Sequence, residues 1–387
     1  MSVTAAQGFV GAGIACGIKE SGDLDLSLVA TADGAAVVAA AVFTSNKSTA
    51  APVVVSRAHL EATGGRAAAV ILNSGNANAA TGAAGKDASE RMCAAAAAHL
   101  GCRPEEVLVC STGLIGIPLP VEKIEAAAAE LAAARSLEGG AAAARAILTT
   151  DTHAKEVVVR SGGFTVGGMA KGAAMLAPNM ATMLAVLTTD AAVEPEPLHE
   201  MLQSAVAASF NSLSVDGCTS TNDTVIVIAN GLAGPVDDAE LRMALTAACT
   251  DLAEQMAGDA EGATKVVRVR VINAGSDEEA ARGARKVAES QLCKCSWYGQ
   301  DPYWGRIASE LGSAGIAYDA DAVSISYGGV VVADGGITVE HDEAKVREHM
   351  TGRHLEIVAD LQLGNGTGSI LTNDLTHAYV DENMGTS

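Results

Sequence analysis

Aromatic side chains are scarce in this chain, at 3% of its 387 residues, although hydrophobic residues make up 49% and charged residues only 18%. Much of the apolar content is therefore alanine, and such small side chains fill a core only where helices and sheets approach closely. Basic residues are also few, with 25 Lys and Arg against 46 Asp and Glu, which gives a formal charge of −21. A protein of this charge repels phosphate backbones, so its composition disfavours nucleic-acid binding.

Long hydrophobic runs are missing as well. No stretch reaches the roughly 18 consecutive apolar residues that a membrane-spanning helix needs. The most apolar short segment runs from Gly34 to Phe43 and is much shorter. The first basic residue is Lys19, so the N-terminus has no basic region followed by an apolar one, and we expect no standard secretion signal. The sequence predicts a cytoplasmic protein without a membrane partner.

The cysteines do not form a recognisable metal-binding or disulfide pattern. Eight are scattered along the chain, and the closest pair, Cys293 and Cys295, is separated by one residue. This is not a zinc-ligand spacing, and no histidine lies nearby in sequence. We expect reduced, mostly buried thiols in the cytosol, with neither a bound metal nor a bound cofactor.

Segments typical of strands and of helices are interleaved along the whole chain, which predicts a mixed α/β fold. Short β-branched runs bounded by Gly, Asn and Ser read as strands, and alanine-rich segments with one apolar face read as helices. Among the predicted strands are Pro52 to Val55, Val107 to Cys110, Thr182 to Thr188 and Thr224 to Ala229, and among the predicted helices are Lys86 to Leu100 and Val121 to Arg135.

The most informative segment surrounds Thr182. A loop rich in Gly and Pro precedes it, and Pro178 prevents a helix from running through that loop. The loop therefore delivers Ala181 and Thr182 to the start of a strand in a constrained backbone. The small side chain of Ala181 leaves its carbonyl sterically open, and Lys171 provides a cation that attracts a carboxylate or lowers a neighbouring pKa. Without this context Thr182 would be an ordinary strand residue.

Residues Lys171 to Leu184 read K-G-x-x-M-L-x-P-x-M-A-T-M-L, which resembles the self-cleavage motif of the ornithine acetyltransferase family, the bifunctional glutamate N-acetyltransferases of arginine biosynthesis. Other segments similar to that family occur in the same order over essentially the whole chain. They are Asn73 to Asn78, Ser111 to Gly116, Thr149 to Thr152, Ser220 to Thr224, Asp259 to Gly262, Asp301 to Arg306 and Asp374 to Tyr379.

The resemblance implies a two-stage chemistry centred on one hydroxyl. Thr182 Oγ attacks the Ala181 carbonyl, and water hydrolyses the resulting ester to free the Thr182 α-amine. An unperturbed α-amine has a pKa of about 7.7–8.0, so it serves as a base for its own weakly nucleophilic hydroxyl. The mature enzyme then takes an acetyl group from N-acetylornithine, releases ornithine and passes the acetyl group to glutamate in a ping-pong exchange.

The resemblance also assigns the remaining site residues. Thr112 and Gly113 stabilise the oxyanion, which needs hydrogen-bond donors where charge develops. Charge complementarity agrees with two further assignments, because Lys171 can pair with an α-carboxylate and Glu261 with an ammonium group. Asn222 and Asp223 border the site, although their residue types favour a turn. The full set of implied substrate contacts is Thr149, Lys171, Thr182, Glu261, Asn383 and Ser387, with Thr386 as the alternative terminal hydroxyl.

The family fold is an αββα-layered fold of the self-processing, N-terminal-nucleophile type. Cleavage would give an α chain of residues 1–181 and a β chain of residues 182–387, the latter including a smaller C-terminal part at about 265–387. The resemblance implies that two copies of each chain assemble into an α2β2 heterotetramer.

Several positions differ from the family pattern and leave alternatives open. Ala174 stands where Gly is usual, Tyr303 where Asn is usual, and Cys293-Lys294-Cys295 where Val-Lys-Thr is usual, and the C-terminus is shorter. A paralogue with another acceptor, a self-cleaving amidase or aminopeptidase, and a binding protein that never cleaves all remain possible readings. The sequence also leaves open whether acetyl-CoA is a second acetyl donor.

Overall fold

The structure is a computed structural model and describes residues 2–175 and 183–385 of the chain. These residues form two compact units. The first contains residues 2–175, 183–211 and 218–256, and the second contains residues 212–217 and 257–385.

The first unit contains two β-sheets and six α-helices among its described residues. Its elements in chain order are β1 (Phe9–Ile14), β2 (Leu26–Thr31), β3 (Val37–Phe43), α1 (Ala51–Thr63), β4 (Arg66–Ala67), β5 (Ala69–Asn76), α2 (Gly82–Leu100), β6 (Val107–Leu114), α3 (Val121–Ala133), α4 (Gly140–Ala146), β7 (Lys155–Ser161), β8 (Phe164–Lys171), β9 (Leu184–Ala192), α5 (Pro195–Ala208), β10 (Thr224–Pro235) and α6 (Asp238–Gly258).

The two sheets pack face to face. One has the strand order β1-β2-β5-β6, and the other has the order β4-β3-β10-β9-β8-β7. Apolar side chains from both sheets, including Leu72, Leu108, Val186 and Ile226, form one buried core. Most neighbouring strands are antiparallel, but β5 and β6 are parallel, as are β9 and β10.

Helices cover the outer faces of both sheets. On the first sheet, Met92 of α2 and Ile124 of α3 share a buried cluster with Leu28 and Ile71. On the second, α5 packs on β3, and α6 is linked to β7 by hydrogen bonds between Gln255 and the backbone of Glu156. This αββα order confirms the mixed α/β, layered fold that the sequence predicted.

The prediction of a strand from Pro52 to Val55 is wrong, because these residues begin α1. Proline is tolerated in the first turn of a helix, where its missing N–H would have no intrahelical partner. Gly64 then ends the helix in the left-handed conformation, with φ 64°. The consecutive valines indicated a strand, but these start and stop signals and the burial of Val53 and Val55 favour the helix.

The second unit contains one six-stranded sheet among its described residues, whose strands lie in the order Ile337–Thr338, Val330–Asp334, Ser324–Tyr327, His354–Asp360, Val266–Ala274 and Gly366–Asn373. Trp297, Tyr327, Val269 and Ile357 lie in its buried core. None of the helices in residues 2–175 and 183–385 is both long and apolar enough to cross a membrane. The elements of the second unit in chain order are β11 (Val266–Ala274), α7 (Asp277–Ala288), α8 (Gln291–Tyr298), α9 (Trp304–Gly312), β12 (Ser324–Tyr327), β13 (Val330–Asp334), β14 (Ile337–Thr338), α10 (Glu343–Thr351), β15 (His354–Asp360), β16 (Gly366–Asn373) and α11 (His377–Glu382).

Small residues allow backbones to touch where α4 crosses β1. A Cβ built at Gly13 of β1 would overlap the carbonyl group of Ala142 in α4. A Cβ at Gly139, just before α4, would likewise overlap the Gly11 carbonyl. The alanine-rich, aromatic-poor composition is thus used for close packing of a helix on a strand.

A Gly13→Ala substitution tests this close packing. The added methyl group meets backbone rather than a movable side chain, so we expect the free energy of unfolding to fall by about 1–3 kcal/mol. Chemical denaturation measures the change. Gly258→Ala is the matched control, because nothing lies within 4 Å of a Cβ at that position. Equal stability of Gly13→Ala and the wild type would contradict the packing argument.

Candidate active site

The strands on both sides of the predicted cut are neighbours in one sheet. β8 ends at Lys171 and β9 begins at Leu184, and these two residues are paired across the antiparallel strands. Met183 is buried, and its carbonyl accepts a hydrogen bond of 3.0 Å from the N–H of Thr224. The chain is therefore fixed immediately after the predicted nucleophile. Ala181 and Thr182 themselves lie outside the described residues.

The predicted oxyanion residues lie at the carboxyl end of β6. Because β5 and β6 are parallel, Ser74 pairs with Thr112 and Gly75 with Gly113. Gly113 has φ 131°, and a Cβ there would overlap the backbone of Gly75 and Asn76. Only glycine fits this approach. Two motifs that are separate in the sequence, Asn73 to Asn78 and Ser111 to Gly116, thus form adjacent strand ends.

Asn222 joins the two sheets at this point. Its Nδ2 donates hydrogen bonds to the carbonyl oxygens of Ser111, at 2.9 Å, and Ala77, at 2.6 Å. Its Oδ1 accepts a hydrogen bond of 2.6 Å from the hydroxyl of Thr221. Asn222 lies in a bend, as its residue type favours, and its side chain also links segments that are distant in the sequence. Its side chain fixes the residue before Thr112 to the segment that leads into β10.

Asp151 connects two of the predicted substrate contacts and was given no role from the sequence. Its carboxylate lies 2.6 Å from Lys155 Nζ and 3.8 Å from Lys171 Nζ, and the side chain is fully buried. It also accepts hydrogen bonds from the N–H groups of Gly172, at 2.7 Å, and Thr149, at 3.3 Å. The signal available in the sequence was the short motif T-T-D-T at 149–152.

The charge state of Asp151 follows from these neighbours. Burial alone would raise the pKa of its carboxyl group, but Lys171, Lys155 and the Gly172 N–H outweigh burial and hold the pKa at about 2. The carboxylate is therefore ionised at neutral pH. It holds Lys171 at the end of β8 and orients the backbone of Thr149.

A second cation lies near Lys171. Lys19 donates hydrogen bonds from Nζ to the carbonyl oxygens of Leu24, at 2.9 Å, and Leu148, at 2.8 Å. Partial burial lowers the pKa of Lys19, and the nearby charge of Lys171 lowers it further. Leu148 precedes Thr149, so two ammonium groups border the loop that carries this predicted contact. Such a grouping suits a carboxylate ligand. Lys19 was not identified as a site residue from the sequence.

The predicted contacts Glu261 and Asn383 are paired in the second unit. Asn383 Nδ2 donates a hydrogen bond of 2.8 Å to Glu261 Oε2. The adjacent Gly262 has φ 61°, and a Cβ there would overlap the backbone of Tyr379 in α11. The turn at 261–262 is therefore packed on α11, the helix that Asn383 follows directly. Ser387 and the alternative Thr386 lie outside the described residues.

The side chains of the predicted site residues carry hydroxyl, amide, carboxylate and ammonium groups. Within residues 2–175 and 183–385, no cluster of three or more His, Cys, Asp or Glu side chains is arranged to hold a metal ion. Burial raises the pKa of the Cys93, Cys110 and Cys249 thiols, which keeps them protonated and unreactive at neutral pH.

Comparison with known proteins identifies relatives over the full length. The ArgJ family model matches residues 10–385. The arginine biosynthesis bifunctional protein ArgJ of Streptomyces coelicolor is 47% identical, and that of Thermobifida fusca is 44% identical, each over 100% of both chains. The crystal structure of the arginine biosynthesis bifunctional protein ArgJ from Bacillus halodurans aligns with a TM-score of 0.51 and 37% identity, covering 52% of this chain and 99% of that chain.

The buried charge of Asp151 generates a prediction about stability. Asp151→Asn removes a buried carboxylate that pairs with both Lys155 and Lys171. We expect the free energy of unfolding to fall by about 3–5 kcal/mol, as for other broken buried ion pairs. Denaturant titration at pH 7 measures this loss. Asp87→Asn serves as the control, since its exposed carboxylate lies 3.8 Å from Arg91 at the surface and should contribute under about 1 kcal/mol.

The same variant gives a pH dependence with a defined sign. Because folding lowers the pKa of Asp151 to about 2, its stabilisation is complete above the unfolded pKa of about 4. It is lost as the pH falls toward 2. The stability difference between wild type and Asp151→Asn should therefore shrink over that range. A difference that stays constant down to pH 2 would show that the carboxylate charge is not its cause.

Proposed function

The chain belongs to the ArgJ family, and from this premise we propose that it is an acyltransferase of arginine biosynthesis that moves an acetyl group from N2-acetyl-L-ornithine to L-glutamate. The products are ornithine and N-acetylglutamate. The observation that carries the proposal is the position of Lys171. Asp151 holds this cation at the end of β8, opposite Leu184 of β9, and Leu184 follows the predicted nucleophile by two residues in the sequence.

Maturation would begin at the Ala181–Thr182 bond. Thr182 Oγ attacks the Ala181 carbonyl, the C–N bond breaks, and water then hydrolyses the ester between the two pieces. The N–H groups of Thr112 and Gly113 would stabilise the oxyanion of each tetrahedral intermediate. Support comes from Asn222, which ties the end of β6 to the segment that holds Met183 through Thr224.

The transfer itself would use the same hydroxyl twice. The Thr182 amine accepts the hydroxyl proton as Oγ attacks the acetyl carbonyl, and ornithine leaves with its α-amine protonated. The α-amine of glutamate then attacks the acetyl ester and restores the free hydroxyl. In this scheme Lys171, with Lys19 nearby, binds the α-carboxylate, while Glu261, paired with Asn383, receives the side-chain ammonium of ornithine. Thr149 and Ser387 complete the proposed contacts.

The two pieces, 1–181 and 182–387, would remain associated after cleavage. The six-stranded sheet of the first unit contains strands from both pieces. Four of them precede the cut in the sequence, namely β3, β4, β7 and β8, and two follow it, namely β9 and β10. Separating the pieces would break the buried β8–β9 and β3–β10 pairings. The solved Bacillus halodurans chain matches 52% of this chain, roughly the share of one piece.

We extend the proposal to the assembly and the environment. Two copies of each piece would form an α2β2 heterotetramer in the cytoplasm, with residues from about 265 to 387 as the smaller C-terminal part of the β chain. No cofactor is required, because the hydroxyl and the amine of one residue supply nucleophile and base. Acetyl-CoA is an alternative acetyl donor, and the transfer assay tests it in parallel with N-acetylornithine.

Self-cleavage is tested by intact mass. The wild-type protein should give two fragments, the second beginning with Thr182. Thr182→Ala removes the nucleophile and should remain one chain without transferase activity, whereas Thr182→Ser retains a hydroxyl and should keep part of both activities. Folded, active wild-type protein with an unbroken Ala181–Thr182 bond would refute the proposed maturation.

The transfer reaction is tested with labelled donors. Labelled N-acetylornithine should give labelled N-acetylglutamate only when glutamate is present, and acetyl-CoA is assayed in parallel. Lys171→Gln should raise the KM for N-acetylornithine about 10- to 100-fold, since a charge-assisted hydrogen bond contributes about 1.5–3 kcal/mol. Lys86→Gln, at an exposed position on α2, is the control. Labelled acetate formed without any acetylglutamate would instead identify a hydrolase.

A further inference from the structure

The turn that carries Glu261 packs directly on the backbone of α11. The N–H of Ala263 donates a hydrogen bond of 3.1 Å to the Ala260 carbonyl, which closes a four-residue turn with Glu261 and Gly262 in the middle. Gly262 has φ 61°, and a Cβ at this position would overlap the Tyr379 nitrogen. The position of this turn on α11 is therefore set by backbone contact rather than by a movable side chain.

Thr376 joins this turn to the start of α11 through a single hydroxyl group. Its Oγ1 donates a hydrogen bond of 2.7 Å to the Gly262 carbonyl and accepts one of 3.1 Å from the Tyr379 N–H. Thr376 is the N-cap residue of α11 and is only 4% exposed, so water competes little for either bond. One buried hydroxyl thus caps the helix and holds the turn.

The residues before Thr376 fix the segment that follows the turn. The carboxylate of Asp374 accepts hydrogen bonds of 2.9 Å from the N–H groups of Thr264 and Lys265. Asn373 Nδ2 donates to the Lys265 carbonyl, also at 2.9 Å, and both Asn373 and Asp374 are buried. The end of β16 and the start of α11 therefore hold the Glu261 turn and the residues after it in one place.

The side chain of Glu261 is held less firmly than its backbone. Asn383 Nδ2 donates hydrogen bonds to Glu261 Oε2, at 2.8 Å, and to the Tyr379 carbonyl, at 2.9 Å. Asn383 is exposed and Glu261 is partly exposed, so water competes with the bond between them and reduces its net contribution. The position of the Glu261 carboxylate therefore depends on the buried contacts of the turn.

We propose that Thr376 is a positioning residue that sets the preference for an acetyl donor with a side-chain ammonium group, an inference that rests on the proposed function. Its hydroxyl fixes the Glu261 turn on α11, and α11 leads directly to Asn383. The Glu261 carboxylate and the Asn383 amide are thereby kept next to each other. A carboxylate positioned in advance binds an ammonium group more tightly, because less side-chain freedom is lost on binding.

The test compares two donors that differ in the ammonium group. N-acetylornithine carries this group, whereas N-acetylglutamate, the donor of the reverse reaction, has a carboxylate at the end of its side chain. A ping-pong enzyme exchanges the acetyl group between N-acetylglutamate and labelled glutamate without ornithine, so both donors can be assayed. The ratio of their kcat/KM values isolates recognition of the ammonium group.

Thr376→Val removes the hydroxyl and nearly keeps the shape of the side chain. We expect kcat/KM for N-acetylornithine to fall about 5- to 20-fold, roughly the effect of one lost hydrogen bond. The fall should arise from a higher KM, with kcat within about threefold of the wild type. The value for N-acetylglutamate should stay within about twofold. Thr376→Ser keeps the hydroxyl and should restore the wild-type ratio.

Ser276→Ala is the matched control for the loss of a helix cap. Ser276 caps α7 by accepting a hydrogen bond of 3.2 Å from the Glu279 N–H. This variant should keep the donor ratio of the wild type. The inference is overturned if Thr376→Val lowers kcat/KM equally for both donors, or if Ser276→Ala changes the ratio as much. Gly262→Ala, which forces the turn away from α11, replaces Thr376→Val if that variant does not fold, with the same expected change in ratio.

Glu261→Gln separates this inference from the proposed function. It removes the charge itself and should lower the donor ratio more than Thr376→Val does. A lower ratio in Glu261→Gln with an unchanged ratio in Thr376→Val would refute the role of Thr376 and leave the proposed function intact. Wild-type protein that transfers no acetyl group from N-acetylornithine would instead refute the proposed function.

Discussion

The pairing of Lys171 with Leu184 is the constraint on which the site depends. This pairing joins β8, which precedes the predicted cut, to β9, which follows it. Both ends of the intervening segment are therefore fixed in the interior of a six-stranded sheet. A reactive bond must be held with its nucleophile and its carbonyl in one geometry if an intramolecular attack is to be fast. The antiparallel pairing of β8 with β9 restrains both ends of the segment in this way, and under the proposed cleavage the same pairing would hold the two pieces together.

The pKa values of two buried carboxyl groups near Lys171 are shifted in opposite directions, and their surroundings explain the difference. Asp151 contacts two ammonium groups and two backbone N–H groups, which favour the ionised form despite burial. Burial raises the pKa of Asp223, and the charge of Lys171 together with the hydrogen bonds from the Met183 N–H and neighbouring hydroxyls does not offset it. Environments that separate the pKa values of two like groups are typical of functional sites.

The sequence indicated candidate residues within local motifs, but it did not reveal the contacts that link distant parts of the chain. Lys171 and the Thr112–Gly113 pair stand in recognisable strings, and the structure gives each a physical basis. Asn222 contacts Ser111, 111 residues away, and Asp151 contacts Gly172, 21 residues away, so no local periodicity reveals either link. The helix at Ala51–Thr63 was missed although its signals are local. The preference of valine for strands indicated a strand, whereas the proline and the glycine at the ends of the segment favour a helix.

Overall charge and local charge have separate roles in this protein. A formal charge of −21 would repel an anionic amino acid at long range, yet that repulsion is screened beyond about 8 Å at physiological salt. Within the site, the nearby cations determine the attraction for a carboxylate. Lys171 is only 8% exposed, so solvent weakens its attraction for a carboxylate far less than it would at the surface. Asp151 offsets much of the free-energy cost of burying the Lys171 ammonium group. The two charges are nevertheless 3.8 Å apart, which is longer than a hydrogen bond. Lys171 thus retains the capacity to bind a second carboxylate, which a closer ion pair would reduce.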